Sequence, residues 1–331
     1  MTMEHPFAQY IKTLGKGRHG SRALTQSEAY EAMRMILAEE VEPIQLGAFL
    51  MLLRVKEETS EELAGFVRAA REAVPMPDET PKVDLDWSCY AGKRRQLPWY
   101  VLSALLLASR GISVMMHGTS SGADRVHAPD ALKALGITQS ASILDAFARV
   151  KEEKFAFLGF ETLNPKLKQI MDLRPLFGLR TPVHTIARML NPSSASLSIQ
   201  GIFHPGYLES HQGAGLILGE NIVILKGEGG EAERNPDLPC KAKSVLDGQL
   251  FEEEWPALFA ARHVKDEEMD VSRLSGLWFG DIEDEFGMMS VIGTAAIVLK
   301  ALRRLETIAE AERWAREYWE NRDKSFVERL A

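Results

Sequence analysis

Three consecutive cations, Lys93, Arg94 and Arg95, form the only such run in this sequence. Four aromatic residues flank them: Trp87, Tyr90, Trp99 and Tyr100. This pattern suits single-stranded nucleic acid, because cations contact the phosphate backbone and aromatic faces stack on bases. The triplet is equally compatible with a solvated turn. Of the aromatic residues, we expect Trp99 and Tyr100 to be core residues that open a buried helix.

A second basic segment lies near the N-terminus. It contains Lys12, Lys16, Arg18, His19 and Arg22. Its glycines match the dinucleotide-binding pattern G-x-G-x-x-G over 15–20, but an amphipathic helix precedes them where that motif requires a strand. We therefore reject a Rossmann site. A basic loop that closes over phosphates fits the pattern, and so does a simple solvated loop between helices.

The remaining reactive side chains predict neither a metal site nor a nucleophile. His204 and His211 are seven residues apart on a predicted helix, but no further ligand completes a zinc set. Cys89 and Cys240 lack paired ligand spacing, which is typical of free thiols in a reducing cytoplasm. The acidic run 281–285 precedes an apolar helix, where negative charge at the N-terminus is favourable.

Composition predicts a soluble, cytoplasmic protein of more than one domain. The 331 residues are 45% hydrophobic and 26% charged, an ordinary globular mixture. The apolar stretch 99–108 is about half of the ~20 residues that span a bilayer, and the first ten residues lack a signal-peptide pattern, so we predict no membrane association. A net charge of −8 opposes attraction of nucleic acid to the whole surface, but not to a local basic patch.

Hydrophobic periodicity divides the chain into a helical part and an α/β part. Up to residue 75 it predicts four helices, and two of them begin with capping boxes, Thr25 with Glu28 and Thr59 with Glu62. Three prolines within 74–81 indicate a domain boundary. Beyond it, strands alternate with helices, which is typical of a parallel sheet with crossover helices. The predicted strands are 83–87, 112–116, 155–160, 197–203 and 221–225, and the helices between them are 98–110, 129–136, 141–151 and 205–218.

Two later segments complete the predicted architecture. Residues 164–188 are helical again, with Pro165 at the first helical position, and we expect them to return to the helical part. The tail 283–330 predicts two amphipathic helices. The predicted fold class is α/β: a small all-helical N-terminal domain (1–75, with the helical return 164–190) and a larger domain (76–163 and 191–331). In the larger domain, helices flank a mainly parallel central sheet.

Three long runs resemble anthranilate phosphoribosyltransferases and the related class II nucleoside phosphorylases. Residues 24–72 are similar to the helical domain of that family, and residues 171–192 (MDLRPLFGLRTPVHTIARMLNP) to its helical return and linker. Residues 114–136 (VMMHGTSSGADRVHAPDALKALG) are similar to part of its α/β domain. The resemblance implies a helical lobe packed on a mainly parallel α/β domain, and a homodimer formed through the helical lobes.

The residues that hold phosphoribosyl pyrophosphate in that family are mostly replaced. The family's Gly-Thr-Gly-Gly-Asp loop lets backbone N–H groups approach phosphate, and it corresponds to Ser-Cys-Tyr-Ala-Gly at 88–92. The stretch that supplies hydroxyl groups, Asn-Ile-Ser-Thr, corresponds to Pro-Trp-Tyr-Val at 98–101. The lysine of the Lys-His-Gly-Asn motif corresponds to Met116. These losses would remove most of the electrostatic positioning that pyrophosphate displacement requires.

Part of the family's site is retained. The resemblance implies a remnant pocket that could cradle one phosphate: Gly92, His117, Gly118, Thr119, Ser120, Ser121, Gly122 and Arg174. Arg174 corresponds to the arginine that grips the anthranilate carboxylate, and it would also suit a phosphate. The family's adjacent Asp-Glu pair, which holds magnesium, corresponds to Glu231 and Ala232, so Glu231 is the candidate metal ligand that remains.

These replacements are typical of the YbiB-like branch of the family, whose members are associated with nucleic-acid binding without sequence preference. The resemblance implies a homodimer without catalytic residues or a required cofactor. It would bind single- or double-stranded nucleic acid through phosphate contacts from Lys12, Lys16, Arg18, Arg22, Lys93, Arg94 and Arg95. One alternative is an active phosphoribosyltransferase or glycosyltransferase with a changed acceptor, which would need magnesium. Another is an interaction protein whose basic loops contact an acidic protein.

Overall fold

The computed structural model describes residues 3–120, 124–263 and 268–331. The chain begins with a bundle of four helices: α1 (Ala8–Gly15), α2 (Gln26–Leu37), α3 (Pro43–Lys56) and α4 (Ser60–Glu72). Both predicted capping boxes are present, at the start of α2 and at the start of α4. The carboxylate of Glu62, in the second box, also accepts a hydrogen bond from the buried backbone N–H of Leu24 at 2.8 Å. This bond fixes α4 against the segment that leads into α2.

The larger domain is built on one sheet with strands β1 (Leu85–Cys89), β2 (Val114–Gly118), β3 (Phe155–Gly159), β4 (Leu197–Ile202), β5 (Ile222–Lys226), β6 (Cys240–Leu246) and β7 (Gln249–Trp255). The spatial order is β3-β2-β1-β4-β5-β6-β7. The first five strands are parallel neighbours, and the last two are antiparallel. Every residue of β1 to β4 is buried, as expected for parallel strands covered on both faces. The predicted helical domain and mainly parallel α/β domain are confirmed.

The remaining helices flank or extend this sheet. They are α5 (Tyr100–Ser109), α6 (Ala128–Ala134), α7 (Ile143–Glu153), α8 (Phe160–Leu163), α9 (Pro165–Met171), α10 (Arg174–Phe177), α11 (Val183–Ile186), α12 (Tyr207–Leu218), α13 (Ser272–Phe279), α14 (Glu285–Arg303), α15 (Ile308–Glu320) and α16 (Ser325–Leu330). Buried residues of α9 and α11 share one hydrophobic cluster with α1 to α4. The segment 164–188 therefore packs on the helical bundle.

Two parts of the larger domain differ from the sequence-based expectation. The hairpin of β6 and β7 was not predicted, although its Asp247-Gly248 turn is a typical hairpin sequence, with positive φ at both residues. The tail contains three helices where two were predicted, and α13 precedes them. By length and composition α14 could cross a membrane, but 72% of its apolar window is buried inside the protein. It is the longest helix of the larger domain and packs against α5 and α15.

Candidate phosphate-binding cleft

The strand order sets the position of the candidate site. β1 lies between β2 and β4, so the chain builds the sheet in one direction up to β3 and then in the other from β4. Open sheets of this kind bind ligands outside the carboxyl ends of their strands, at the point where the order reverses. The segments that follow β1, β4 and β5 meet there. They face the helical bundle across a cleft.

A buried chain of hydrogen bonds connects the segment after β1 to strands β2 and β1. The Tyr90 hydroxyl lies 2.7 Å from Nδ1 of His117, and Nε2 of His117 lies 3.2 Å from the Asp86 carboxylate. In the neutral imidazole the Asp86 carboxylate requires the proton on Nε2, and Nδ1 then accepts the hydrogen bond from the Tyr90 hydroxyl. Asp86 also accepts from Ser198 Oγ at 3.0 Å. His117 is completely buried, so it does not line an open remnant pocket as the resemblance implied.

The backbone N–H groups of this segment bind one of the protein's own carboxylates. Oε1 of Glu231 accepts from the N–H of Ala91 at 2.7 Å and from the N–H of Gly92 at 2.5 Å. Burial raises the pKa of Glu231, while these N–H groups and Arg188 oppose the rise. Gly92 has φ of +66°, and an added Cβ would lie 2.6 Å from the ring of His127. The loop thus requires glycine here, and its amide donors are already occupied.

The structure corrects the expectation for Lys93. Its side chain is 1% exposed, and Nζ lies 2.5 Å from the carboxylate of Glu233, which is equally buried. The second oxygen of Glu233 accepts from the N–H of Tyr100 at 2.8 Å. Lys93 therefore cannot contact a ligand at the surface. Arg94 and Arg95 are exposed, and Arg94 is paired with Asp124.

The aromatic residues that flank the triplet are also inside the protein. Trp87, Trp99 and Tyr100 are fully buried, and Tyr90 is 2% exposed. For Trp99 and Tyr100 this agrees with the expected core role, because Tyr100 begins the buried helix α5. Trp87 and Tyr90 are buried as well, so neither ring can stack on a base beside the basic triplet.

Four arginines converge where the segment after β1 meets the helical return, and we call Arg125, Arg174, Arg180 and Arg188 the arginine cluster. Burial lowers the pKa of Arg180 to about 10, and the charges of Arg188, Arg174 and Arg125 contribute to this lowering. Burial and then the charge of Arg94 lower the pKa of Arg125. Arginine remains protonated at neutral pH, so these shifts show cations that are partly withdrawn from water and, to a lesser extent, lie near one another. The buried carboxylate of Glu231 opposes these shifts, because its negative charge raises the pKa of Arg125, Arg180 and Arg188.

The members of the arginine cluster differ in how they are held. Arg125 donates to the carbonyls of Ala91 and Gly92 at 3.0 and 3.1 Å. Arg188 is buried and donates to the His184 carbonyl. The side chains of Arg174 and Arg180 have no hydrogen bond or ion pair with any residue in the described ranges. These two guanidinium groups are the ones available to an anion.

A cavity of about 120 Å³ opens beside the cluster, between the end of α3 and the segment after β4. Its lining includes two cluster arginines, three histidines and a buried carboxyl group, with the residues Arg54, Glu58, Arg180, Thr181, His184, Thr185, Arg188, Ile202, Phe203, His204, Tyr207 and His211. Burial lowers the pKa of both His184 and His211 to about 3, so these two histidines are neutral at physiological pH. The positive charge of the cavity therefore comes from its arginines.

The remnant pocket is only partly assembled. Gly118, Thr119 and Ser120 line a second cavity of about 650 Å³, which also contains Lys133 and Lys168. Arg174 lies in the cluster, and Gly92 is covered by His127. Ser121 and Gly122 lie outside the described residues.

The N-terminal basic loop flanks the cleft. Lys12, Lys16, Arg18 and Arg22 all have solvent-exposed side chains. Lys12 is paired with Glu4, and Arg22 is paired with Glu28, whereas Lys16 and Arg18 have no side-chain partner within the described part of the chain. Ser21 contacts Lys56 at the end of α3, the helix whose Arg54 lines the cavity.

The residues around Glu231 do not fit a magnesium ion. Oε1 of Glu231 already accepts two N–H groups, the side chain of its neighbour Ala232 has no ligand atom, and Glu233 is bound to Lys93. Among the described residues, no group of three potential ligands is close enough to hold a metal.

Sequence reasoning missed three arginines of the cluster and the exposed Phe203. Arg180 and Arg188 were visible in the run 171–192, eight residues apart, but nothing local distinguishes them from ordinary helix charges. The signal that could have found them is their position in the linker that crosses the carboxyl edge of the sheet.

The fold defines a class of two-domain proteins in which a helical bundle and an α/β sheet face each other across a cleft. Profiles of a glycosyl transferase family match both parts, its helical bundle domain over 8–74 and its a/b domain over 101–235. The chain is 30% identical over 210 residues to the anthranilate phosphoribosyltransferase of Thermus thermophilus. This alignment covers 63% of this chain and 64% of that enzyme, slightly less than two thirds of its length.

Two further relatives are without assigned function. One is an uncharacterized protein of Aquifex aeolicus, 32% identical over 239 residues, with 70% of this chain and 72% of that protein covered. The other is the uncharacterized protein YbiB of Escherichia coli, 27% identical over 252 residues, with 73% and 76% covered. The crystal structure of the anthranilate phosphoribosyltransferase from Thermus thermophilus superposes with a TM-score of 0.81 at 23% identity, covering 99% of this chain and 98% of that one. The chain belongs to the anthranilate phosphoribosyltransferase family.

Proposed function

We propose that this protein binds nucleic acid without sequence preference, through phosphate contacts in the arginine cluster. The observation that carries the proposal is the pair of guanidinium groups on Arg174 and Arg180, which have no anionic partner among the described residues and are surrounded by further arginines. Such a concentration of poorly neutralised charge favours a ligand with several phosphates. Arg94 is exposed and lowers the pKa of Arg125, although its own charge is paired with Asp124.

The same geometry argues against phosphoribosyl pyrophosphate as the ligand. In our proposal the site is degenerate for that substrate. The amide donors that would meet pyrophosphate are bound to Glu231, and the residues around Glu231 do not suit magnesium. A phosphodiester backbone needs neither a glycine loop nor a metal. It needs cations spaced along an open surface, which the cluster and its flanking loops provide.

A second candidate function rests on the cavity of about 650 Å³. It combines Thr119 and Ser120 with two lysines and an apolar wall, a composition that suits a small phosphorylated ligand. This candidate would be a transferase with a changed substrate. Stabilisation of the protein against heat by phosphoribosyl pyrophosphate with magnesium would favour it.

The test is a fluorescence anisotropy titration of a labelled single-stranded oligonucleotide at several salt concentrations. We expect the Arg174→Ala, Arg180→Ala double variant to bind much more weakly. We also expect its log–log salt slope to be reduced by roughly 0.7 for each phosphate that the variant no longer binds. The matched control is Arg303→Ala, Arg313→Ala, which removes two exposed arginines of the tail helices. Equal affinity of the two double variants, or salt-independent binding by the wild type, would contradict the proposal.

The homodimer stays a prediction. The helical domain exposes large apolar side chains that a second copy could bury, with Ile44 and Leu176 each 83% exposed. Sedimentation velocity of the wild type against Ile44→Asp tests it, because a charge in the interface should shift the dimer to monomer.

A further inference from the structure

Phe203 and His204 form an exposed aromatic pair at the mouth of the 120 Å³ cavity. Phe203 follows the carboxyl end of β4 and is 52% exposed. The two rings lie 4.9 Å apart at an interplanar angle of 87°, and Nζ of Lys226 lies 5.8 Å from the Phe203 ring. The Phe203 ring lies between a cation and an arginine-lined cavity, where a flat ligand at the cavity mouth would contact it.

The inside of the cavity holds two polar atoms without partners. Oε2 of Glu58 and Oγ1 of Thr181 are both buried, and neither atom has a hydrogen-bond partner within the described part of the chain. Glu58 is 6% exposed and Thr181 is 3% exposed, and both side chains line the cavity. A buried polar atom that is left without a hydrogen bond destabilises the protein. The two atoms therefore mark a place where a ligand with its own polar edge would be stabilised.

We infer that this cavity binds one unpaired nucleobase of the bound strand. Phe203 stacks on its face, Arg180 contacts the adjoining phosphate, and Glu58 and Thr181 bind polar atoms at its edge. The inference rests on the proposed function and narrows it, because a base within a duplex cannot present its face to an aromatic ring. Single strands, or the unpaired ends of duplexes, are thus the preferred ligands.

The requirement for a flat aromatic ligand separates this site from a simple phosphate clamp. Cations alone would bind a polyphosphate as well as a polynucleotide of the same charge. Stacking on a base is tolerant of base identity, since every base has a π-face. Stacking therefore adds affinity without adding sequence preference.

The experiment compares an oligonucleotide with one of equal length in which abasic residues replace every nucleotide. Both carry the same phosphates, so phosphate contacts are retained and stacking is removed. We expect the wild-type protein to bind the abasic strand about tenfold or more weakly, with a similar salt slope. Phe203→Leu should lower affinity for the intact strand by a similar factor and leave the abasic strand unaffected. Phe203→Trp, which keeps an aromatic ring at this position, should bind the intact strand as the wild type does. The matched control is Phe251→Leu, at another exposed phenylalanine on β7.

The outcomes separate this inference from the proposed function. Equal, salt-sensitive binding of both strands by the wild type would overturn the stacking site and leave phosphate-mediated binding intact. Binding of neither strand at low salt would overturn both. The wild-type comparison needs no variant, so a folding defect in Phe203→Leu would not obscure the result.

Discussion

The loop after β1 and the cleft that contains the arginine cluster differ in whether their charged groups have partners within the chain. In the loop, the buried charges and amides have partners from the same chain, as in the pair of Lys93 with Glu233 and the two amides bound to Glu231. In the cleft, Arg174 and Arg180 have no such partner among the described residues, and burial together with neighbouring arginines lowers the pKa of Arg180. In the loop the named charges and amides are hydrogen-bonded within the chain, whereas in the cleft two guanidinium groups lack a carboxylate partner among the described residues. The proposed function therefore places an anion from outside in the cleft and not in the loop.

Under the proposed function, this difference explains how the same fold can bind an anion at a neighbouring place when its ligand changes. The amides of Ala91 and Gly92 are suited to a small phosphate group, and Glu231 occupies them. The guanidinium groups of Arg174 and Arg180 belong to the helical return rather than to the sheet. The proposed function implies a change from enclosed recognition of one ligand to open recognition of a chain of phosphates.

The largest expected effect is on the free energy of unfolding, and Lys93→Met tests it at the buried pair of Lys93 with Glu233. This substitution would leave the Glu233 carboxylate buried without its cation, which typically costs about 3–5 kcal/mol. Arg95→Ala, the control at the exposed end of the same triplet, should change the free energy of unfolding by less than about 0.5 kcal/mol. Urea denaturation measures both. Similar stability of the two variants would show that the loop is not closed in the way described.

The next prediction concerns pH and the cleft. Burial raises the pKa of Glu58 from 4.5 to about 7, while Arg54 opposes the rise and Glu62 and Glu57 add to it. A raised carboxyl pKa stabilises the folded state at low pH, and this stability is lost as pH rises from 4.5 to about 7. Relative to Glu58→Gln, the wild type should lose about 2–3 kcal/mol of unfolding free energy between about pH 5 and about pH 8. Parallel pH profiles of the two proteins would contradict this.

The smallest expected effect concerns the N-terminal loop. Lys16→Ala, Arg18→Ala should weaken oligonucleotide binding only about two- to fivefold, with a small decrease in salt slope, because the loop flanks the cleft and does not line it. The control Lys12→Ala, Arg22→Ala removes the same charge from cations already paired with Glu4 and Glu28. Anisotropy titrations should show a smaller effect for this control. A larger effect would mean that the loop ion pairs open on binding.

The sequence was sufficient to predict the fold but only part of the site. The five predicted strands lie within about two residues of β1 to β5, because buried parallel strands form short apolar runs between helices. β6 and β7 were missed because β7 is largely exposed and contains three consecutive glutamates. Lys93 was misassigned because its partner Glu233 is 140 residues away, and sequence patterns do not reveal such distant pairs.

The hydrogen bonds from the Ala91 and Gly92 amides to the Glu231 carboxylate make the stability of the loop after β1 independent of a ligand in the cell. A binding loop that depends on its substrate gains stability as the ligand concentration rises. Here the chain supplies that anion itself, at a fixed effective concentration that metabolism cannot change. The folded population of this loop should therefore be the same in starved and growing cells.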